Sequence, residues 1–351
     1  MEPRQLTFVR EYLGYSQTEL AAHIHGLSQS NLSKFEKGVG SLSEEVKQKI
    51  ISFLGFPESF YEQAISNKVE NAEYRKKTGL SKSKKDYIEN SNKIIGFIID
   101  QMSESIEFPS FTIKTLDIEE GFTPKSIAQF TRKFLDIKQG PVRNICTLLE
   151  SYGIIIVEQV YDEMFDGVSF FTDKGYPVIV INNRPDMSND RKRLSIAHEL
   201  GHIIMHLSRN FAISPDRDKE SEAFEFAAEF LMPEDEIRNS LFELKLSYLF
   251  PLKQTWLVSM AAIIRRAKEL KCITADKYKY LNVELSRRGY KKQEPGVVYI
   301  DSPIAFREAY MLFKTDLGYS DKELADSFHL PLSVILQIFS TKPTFKIVKM
   351  K

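Results

Sequence analysis

Cysteine is scarce in this chain, with two residues among 351. Cys146 and Cys272 lie far apart in the sequence and form no Cys-x-x-Cys pair. This scarcity excludes a disulfide framework and argues against a cysteine-ligated metal site. We therefore expect both thiols to be reduced and buried.

An excess of charge of either sign is also missing, as are long apolar runs. The 48 basic and 48 acidic residues give a net charge of zero, so the overall charge indicates neither a nucleic-acid nor a membrane partner. No apolar run of about 18 residues and no basic-then-apolar leader occurs. We expect a cytoplasmic protein with no membrane partner, and the length allows two or three domains.

The strongest motif is AHELGH at positions 197–202. His198 and His202 are four residues apart, so on a helix both imidazoles project from one face and can bind one ion. Glu199 lies beside this pair and can take a proton from an attacking water without binding the metal itself. The motif predicts the metal-binding helix of a zinc peptidase; the alternative is a chance match on an amphipathic helix.

A catalytic zinc site needs a third protein ligand and leaves a fourth position open for water. The next predicted helix offers four carboxylates, Glu220, Glu222, Glu225 and Glu229, most of which must lie on a solvated helix face. His206 forms a second i, i+4 pair with His202, but Ile203 then stands at the general-base position and cannot accept a proton. We expect His206 to be structural or to support the site.

Residues 178–232 resemble the ImmA/IrrE family of metallopeptidases. The shared motifs are Ile181-Asn182, the AHE-x-x-H helix, Glu220-x-Glu222-Ala223, Phe226-Ala227-Ala228 and Leu231-Met232-Pro233. The resemblance implies a zincin-like domain with Zn2+ as cofactor, and it places the ligand glutamate thirteen residues before the proline, at Glu220. Phe224 stands where the family has an asparagine, which keeps Glu222 open as the alternative ligand. The resemblance also implies a protein substrate, since relatives cleave repressors.

A second resemblance lies near the start of the chain. Ser16 and Glu19 form a capping box, which predicts a helix from Gln17, and Gly38 predicts the end of the following helix. The pattern resembles the Xre/Cro family of helix-turn-helix domains, whose second helix enters the major groove. That resemblance implies double-stranded operator DNA as a partner and a homodimer on it.

The residues expected to contact DNA are Gln17, Gln29, Ser30, Asn31 and Lys34. Glutamine and asparagine side chains can pair with adenine, whereas serine and lysine suit phosphates or guanine. The segment has slightly more acidic than basic residues, which weakens phosphate attraction. The alternative is a helical partner-binding module with the same core.

We predict a mainly α fold with a small β-sheet, of α+β class, in four segments. These are a helix-turn-helix domain at 1–67, a helical basic linker at 68–115, a zinc metallopeptidase domain at 116–245 and a helical C-terminal region at 246–351. The last segment holds a degenerate helix-turn-helix, because the pattern of residues 13–21 recurs at 317–325.

These patterns together predict a DNA-binding regulator with a zinc-dependent endopeptidase domain. Its substrate would be a helix-turn-helix repressor or the chain itself. The alternative is a transcriptional repressor or antitoxin whose peptidase fold acts as a non-catalytic sensor or partner-binding module.

Overall fold

A computed structural model describes residues 1–63, 65, 81–161, 165–208 and 211–339. The chain divides into two compact units. Unit 1 comprises residues 1–67, 78–107 and 305–351, and unit 2 comprises residues 68–77 and 108–304. The described residues form a mainly helical structure with one three-stranded sheet, which confirms the predicted fold class.

Unit 1 contains eight of the α-helices in the described residues. They are α1 (Pro3–Tyr12), α2 (Gln17–His23), α3 (Gln29–Glu36), α4 (Glu44–Leu54), α5 (Lys82–Met102), α14 (Ala305–Thr315), α15 (Asp321–Ser327) and α16 (Leu332–Phe339). A 3-10 helix, Glu58–Glu62, follows α4.

Unit 2 contains the sheet and the other eight α-helices in the described residues. The helices are α6 (Pro124–Phe134), α7 (Ile145–Ser151), α8 (Asn189–Met205), α9 (Lys219–Leu231), α10 (Glu234–Leu241), α11 (Leu246–Trp256), α12 (Met260–Glu269) and α13 (Ala275–Arg287). The strands are β1 (Ile155–Gln159), β2 (Gly167–Phe171) and β3 (Pro177–Asn182), and a short 3-10 helix spans Ile118–Glu120.

Helix α2 begins at Gln17, as the capping box predicts. The Ser16 hydroxyl accepts a hydrogen bond from the Glu19 amide at 3.1 Å, and the Glu19 carboxylate accepts one from the Ser16 amide at 2.7 Å. The same reciprocal pair, Ser320 and Glu323, starts α15. Helices α14, α15 and α16 therefore repeat the local order of α1, α2 and α3.

Helix α5, which lies within the predicted linker at 68–115, belongs to the same compact unit as the first helices. Four isoleucines of α5, at positions 94, 95, 98 and 99, are buried, and α5 packs against α1. The end of the predicted C-terminal region also belongs to unit 1, which resumes at Ala305. The grouping departs from chain order because α5 packs against α1, and Gln337 on α16 forms hydrogen bonds with the hydroxyls of Tyr12 and Tyr87. The basic residues Arg75 to Lys77 lie outside the described residues.

Strand β3 is the central strand of the sheet, whose order is β1-β3-β2. It pairs parallel with β1 and antiparallel with β2, and all six of its residues are buried. A continuous apolar run is what a strand buried on both faces requires. Helix α8 packs against β2 and β3, so the sheet supports the helix that carries the AHELGH motif.

Helices α8 and α9 approach each other closely at Gly201. A Cβ atom added there would lie 3.1 Å from the ring of Phe226 and 3.4 Å from the Cα of Ala223, both on α9. Glycine at this position lets the two helices meet with little separation. The same contact brings the start of α9 beside the histidines of α8.

None of the helices in the described ranges combines the length and apolar character needed to cross a bilayer.

Candidate functional site

Two histidines of α8 and one glutamate of α9 converge on one point in unit 2. The Nε2 atoms of His198 and His202 are 3.1 Å apart. The Oε1 atom of Glu220 lies 3.0 Å from the Nε2 of His202 and 3.5 Å from that of His198. Both imidazoles are buried, and the Glu220 side chain is 32% exposed. These three residues form the one candidate metal cluster among the described residues.

The spacing of these three atoms suits a tetrahedral zinc ion. With zinc–ligand distances of about 2.0–2.1 Å, neighbouring ligand atoms in a tetrahedron lie about 3.3 Å apart. The three observed separations, 3.0, 3.1 and 3.5 Å, bracket that value. Two imidazole nitrogens and a carboxylate oxygen also form the donor set of a catalytic zinc site, so the residues present fit the ion.

The carboxyl group of Glu220 is ionised in this setting. Burial alone would raise the pKa of its carboxyl, but hydrogen bonds with His198 and His202 lower that pKa well below its ordinary value. The Glu220 carboxylate therefore stays charged at neutral pH and can neutralise part of the charge of a bound cation.

The four candidate glutamates have four different surroundings. Glu222 does not approach the two histidines; its carboxylate binds His206 at 2.9 Å and Arg217 at 2.6 Å. Glu225 is exposed on α9. Glu229 is fully buried and accepts hydrogen bonds from Arg266 and from Gln129. Of the four, Glu220 is the one that the structure brings to His198 and His202.

Glu199 lies on α8 beside the metal cluster and is 8% exposed. The hydroxyl of Ser169 on β2 donates a hydrogen bond to its Oε2 at 2.7 Å. Gly167, at the start of the same strand, is also a neighbour of this side chain, since a Cβ atom added there would lie at ordinary contact distance, 3.5 Å, from the Glu199 Cγ. Sequence reasoning missed Ser169, because it stands 30 positions before Glu199 and meets it only through the packing of β2 on α8.

His206 follows α8 directly and is buried beneath the cluster. Its Nδ1 lies 3.0 Å from the Nδ1 of His202, and its Nε2 lies 2.9 Å from the Oε2 of Glu222. Burial and the neighbouring His202 lower the pKa of His206 to about 3, so its ring is neutral at pH 7. The side chain contacts a cluster residue without joining the cluster.

The surroundings of His198 are less polar. Its Nδ1 is buried and has no hydrogen-bond partner among the described residues. The ring of Phe224 packs against it with 4.3 Å between ring centroids, and the Arg265 guanidinium lies 5.2 Å from the Phe224 ring. The neighbouring side chain of His198 is thus an aromatic ring, which offers no oxygen or nitrogen atom for a hydrogen bond to the imidazole.

Two family models match the chain. Residues 149–268 match the model of the IrrE N-terminal-like domain, a peptidase family, and residues 9–61 match the helix-turn-helix model. The chain carries both domains. The predicted fusion is thereby confirmed. No curated protein matches the chain.

The IrrE N-terminal-like domain includes every residue of the metal cluster. The matched range begins in α7 and ends in α12, so it spans the sheet together with α8 and α9. Two asparagines at the end of the central strand are held by hydrogen bonds within the domain. Asn182, the last residue of β3, is fully buried and bonded to Tyr161 and Phe165, and Asn183 donates to Glu158.

Most of the residues expected to contact DNA lie on α3 of the helix-turn-helix domain and are exposed to solvent. Gln29, Ser30, Asn31 and Lys34 lie on this exposed surface. Gln17 is half-buried, and its side chain accepts a hydrogen bond from Gln29 at 2.9 Å. The buried apolar residues here are Leu20 of α2, Ile24 directly after α2, and Leu32 and Phe35 of α3.

Proposed function

We propose that this chain is a DNA-binding regulator whose IrrE N-terminal-like domain is a zinc-dependent endopeptidase. The observation that carries the proposal is the convergence of His198, His202 and Glu220 at the spacing of tetrahedral ligands. Glu199, adjacent to the first ligand on the same helix, supplies a carboxylate for proton transfer.

His198, His202 and Glu220 would hold the ion. When bound, zinc lowers the pKa of water and polarises a carbonyl group. Glu199 accepts the proton of the attacking water as the peptide carbon is attacked, and then returns it to the departing amine nitrogen. The Ser169 hydroxyl holds one oxygen of Glu199, which leaves the other free for the proton.

The substrate we propose is a protein, either a helix-turn-helix repressor or a second copy of this chain. The resemblance to the ImmA/IrrE family supports a repressor substrate, and the fusion on one chain supports self-cleavage.

We propose that α3 reads operator DNA through Gln29, Ser30, Asn31 and Lys34, with Gln17 near a phosphate. Their exposure and the capped ends of α2 and α3 support this role. The bond from Gln29 to Gln17 orients both amides at the start of α3. Domains of this kind bind two half-sites as dimers, so we propose a homodimer on the operator.

One observation favours a second candidate function, a repressor or antitoxin whose peptidase fold serves as a non-catalytic sensor. The Nδ1 of His198 is buried against Phe224 without a partner in the described residues. In metal-binding histidines, the N–H of this second ring nitrogen ordinarily donates a hydrogen bond to a carboxylate, carbonyl or water. A site built in this way can bind its metal more weakly than a dedicated enzyme does.

Elemental analysis of protein purified without chelator tests the proposal. We expect about one zinc per chain, lost in His198→Ala and in Glu220→Ala. Glu225→Ala is the matched control, because Glu225 lies on the same helix and is exposed. If the wild-type chain takes up no zinc even when zinc is supplied, the enzyme proposal is wrong and the sensor function is favoured.

A further inference from the structure

The side chain of His206 lies between a proposed zinc ligand and an ion pair. Its Nδ1 is 3.0 Å from the Nδ1 of His202, and its Nε2 is 2.9 Å from the Oε2 of Glu222. The other oxygen of Glu222 accepts hydrogen bonds from the Nε and Nη2 of Arg217, at 2.9 and 2.6 Å. The His206 side chain is 1% exposed, so water does not compete for its nitrogens.

When a metal is bound, the hydrogen bonds that link His202, His206 and Glu222 can be donated in only one direction, from His202 towards Glu222. A nitrogen that binds a metal presents its lone pair, so the Nε2 of His202 carries no proton and its Nδ1 does. That Nδ1–H must donate to the Nδ1 of His206. A neutral His206 then carries its own proton on Nε2, which donates to the Glu222 carboxylate.

The opposite direction would disable His202. If the Nδ1 of His206 donated to the Nδ1 of His202, the proton of a neutral His202 would stand on Nε2, where the ion has to bind. Glu222 prevents this arrangement, because a carboxylate only accepts hydrogen bonds and so requires a proton on the Nε2 of His206. Arg217 holds that carboxylate in position from its far side.

We infer that His206, Glu222 and Arg217 form a relay that fixes the tautomer of His202, with Nδ1 protonated and Nε2 free for the metal. The inference rests on the proposed zinc site and names three positioning residues for it. His198 has no comparable partner within the described residues, since its Nδ1 is buried without a hydrogen bond. The relay therefore acts on one of the two histidines and makes His202 the better-prepared ligand.

The substitution Glu222→Gln tests the relay because it changes no volume. Arg217 offers only donors, so the new amide must turn its oxygen to Arg217 and its NH2 group to His206. That group donates to the Nε2 of His206, which reverses every hydrogen bond of the relay and places a proton on the Nε2 of His202. We expect zinc affinity to fall about 10–100-fold, as measured by competition with a chromogenic chelator.

A double variant separates the relay from a merely structural role. In Arg217→Leu with Glu222→Gln, the amide is free to turn its oxygen back to His206, so we expect zinc affinity to recover most of the loss. Glu225→Gln, an exposed change on the same helix, is the matched control and should leave the affinity unchanged. A structural role would predict that the double variant binds zinc no better than Glu222→Gln.

The tautomer can also be measured directly in the unsubstituted chain. Nitrogen-15 NMR of the histidine side chains should find the Nδ1 of His202 and the Nε2 of His206 protonated in the zinc-loaded protein. Zinc binding by the wild-type chain with equal affinity in Glu222→Gln, or a His202 ring protonated on Nε2, would overturn the relay alone. No zinc binding by the wild-type chain would overturn the proposed function and the relay together.

Discussion

Gly201 on α8 faces the ring of Phe226 on α9, and a Cβ atom at Gly201 would lie 3.1 Å from that ring. His202 is the next residue along α8, and Glu220 lies on the first turn of α9. The distance between these helices therefore decides whether Glu220 reaches His202. The absence of one side chain at Gly201 supports the geometry of the metal cluster.

Replacing Gly201 should weaken zinc binding more than it weakens the fold. In Gly201→Ala the added methyl pushes the Phe226 ring by a few tenths of an ångström, while the helix gains about 1 kcal/mol of propensity. We expect near-normal thermal stability with zinc affinity reduced several-fold, and a larger loss of both in Gly201→Val. Isothermal titration with zinc and thermal unfolding measure the two effects. Unchanged zinc affinity in Gly201→Val would show that helix separation does not control the cluster.

Glu199→Gln should separate metal binding from proteolysis. The amide oxygen can still accept the hydrogen bond from Ser169, but the side chain can no longer take up a proton. We expect unchanged zinc content and cleavage slowed by at least about 10²–10⁴-fold. The measurement is intact-mass spectrometry of the chain itself and of a helix-turn-helix repressor incubated with it.

Ser169→Ala is the companion variant for this experiment. It removes the hydroxyl that orients Glu199 but keeps the base, so cleavage should slow by about tenfold and zinc content should stay the same. Cleavage at the wild-type rate in Glu199→Gln would refute the assignment of Glu199 as the general base.

Parts of the site that lie on one helix could be predicted from sequence. His198 and His202 lie four residues apart on one helix, so their spacing alone places them on one face, and Glu199 follows His198 directly. The capping box at Ser16 likewise marks the start of α2 correctly, because its two hydrogen bonds are local.

Contacts between distant segments could not be predicted in this way. Ser169 reaches Glu199 from a strand that is distant in sequence. Helix α5 packs against α1 through its isoleucine face, and the sequence pattern of α5 does not indicate which helix that face contacts. The role of His206 also depended on the structure. Its spacing from His202 was visible, but the position of Glu222 behind it follows from the packing of α8 on α9. The same packing brings Glu220 to His202 and Glu222 to His206.

Gln29→Ala combined with Lys34→Ala should abolish operator binding and leave the fold intact. Both side chains are exposed on α3, and each specific base contact accounts for about 1–3 kcal/mol of discrimination. We expect binding to a fragment of the chain's own promoter to weaken by about 100-fold or more in a gel-shift titration. The far-ultraviolet circular dichroism spectrum should not change.

Leu332→Ala with Leu336→Ala is the matched control for that experiment. These residues are exposed on α16, which follows α15 as α3 follows α2. Operator binding should be unaffected, because we assign DNA reading to α3 alone. Loss of binding in the control with normal binding in the α3 variant would move the DNA-reading surface to α16.

Lys253 connects the start of α8 to two neighbouring helices. Its Nζ, on α11, lies 2.6 Å from Asp190 at the start of α8 and 2.8 Å from Glu294. Glu294 in turn accepts hydrogen bonds from the amides of Met260 and Ala261 at the start of α12. The Lys253 side chain is 2% exposed, so its removal leaves the buried Asp190 and the largely buried Glu294 without their cation.

We expect Lys253→Met to destabilise unit 2 by about 3–5 kcal/mol at pH 7. The single tryptophan, Trp256, is buried three residues after Lys253, so its fluorescence reports the unfolding of this region in urea. Arg287→Met is the control: the Arg287 side chain is 73% exposed and pairs with Glu284 at 3.3 Å, so its loss should cost less than about 0.5 kcal/mol.

The contribution of Lys253 to the free energy of unfolding depends on pH with a definite sign. Burial alone would lower the pKa of Lys253, but hydrogen bonds with Asp190 and Glu294 raise it overall above its ordinary value of 10.5. A raised pKa in the folded state means that the stabilisation is fully present below pH 10.5 and is lost as the pH rises through the folded value. The difference in unfolding free energy between wild type and Lys253→Met should therefore be constant from pH 6 to 9 and shrink above it. A difference that stayed constant as the pH rose well above 10.5 would show that the lysine acts through its packing rather than through its charge.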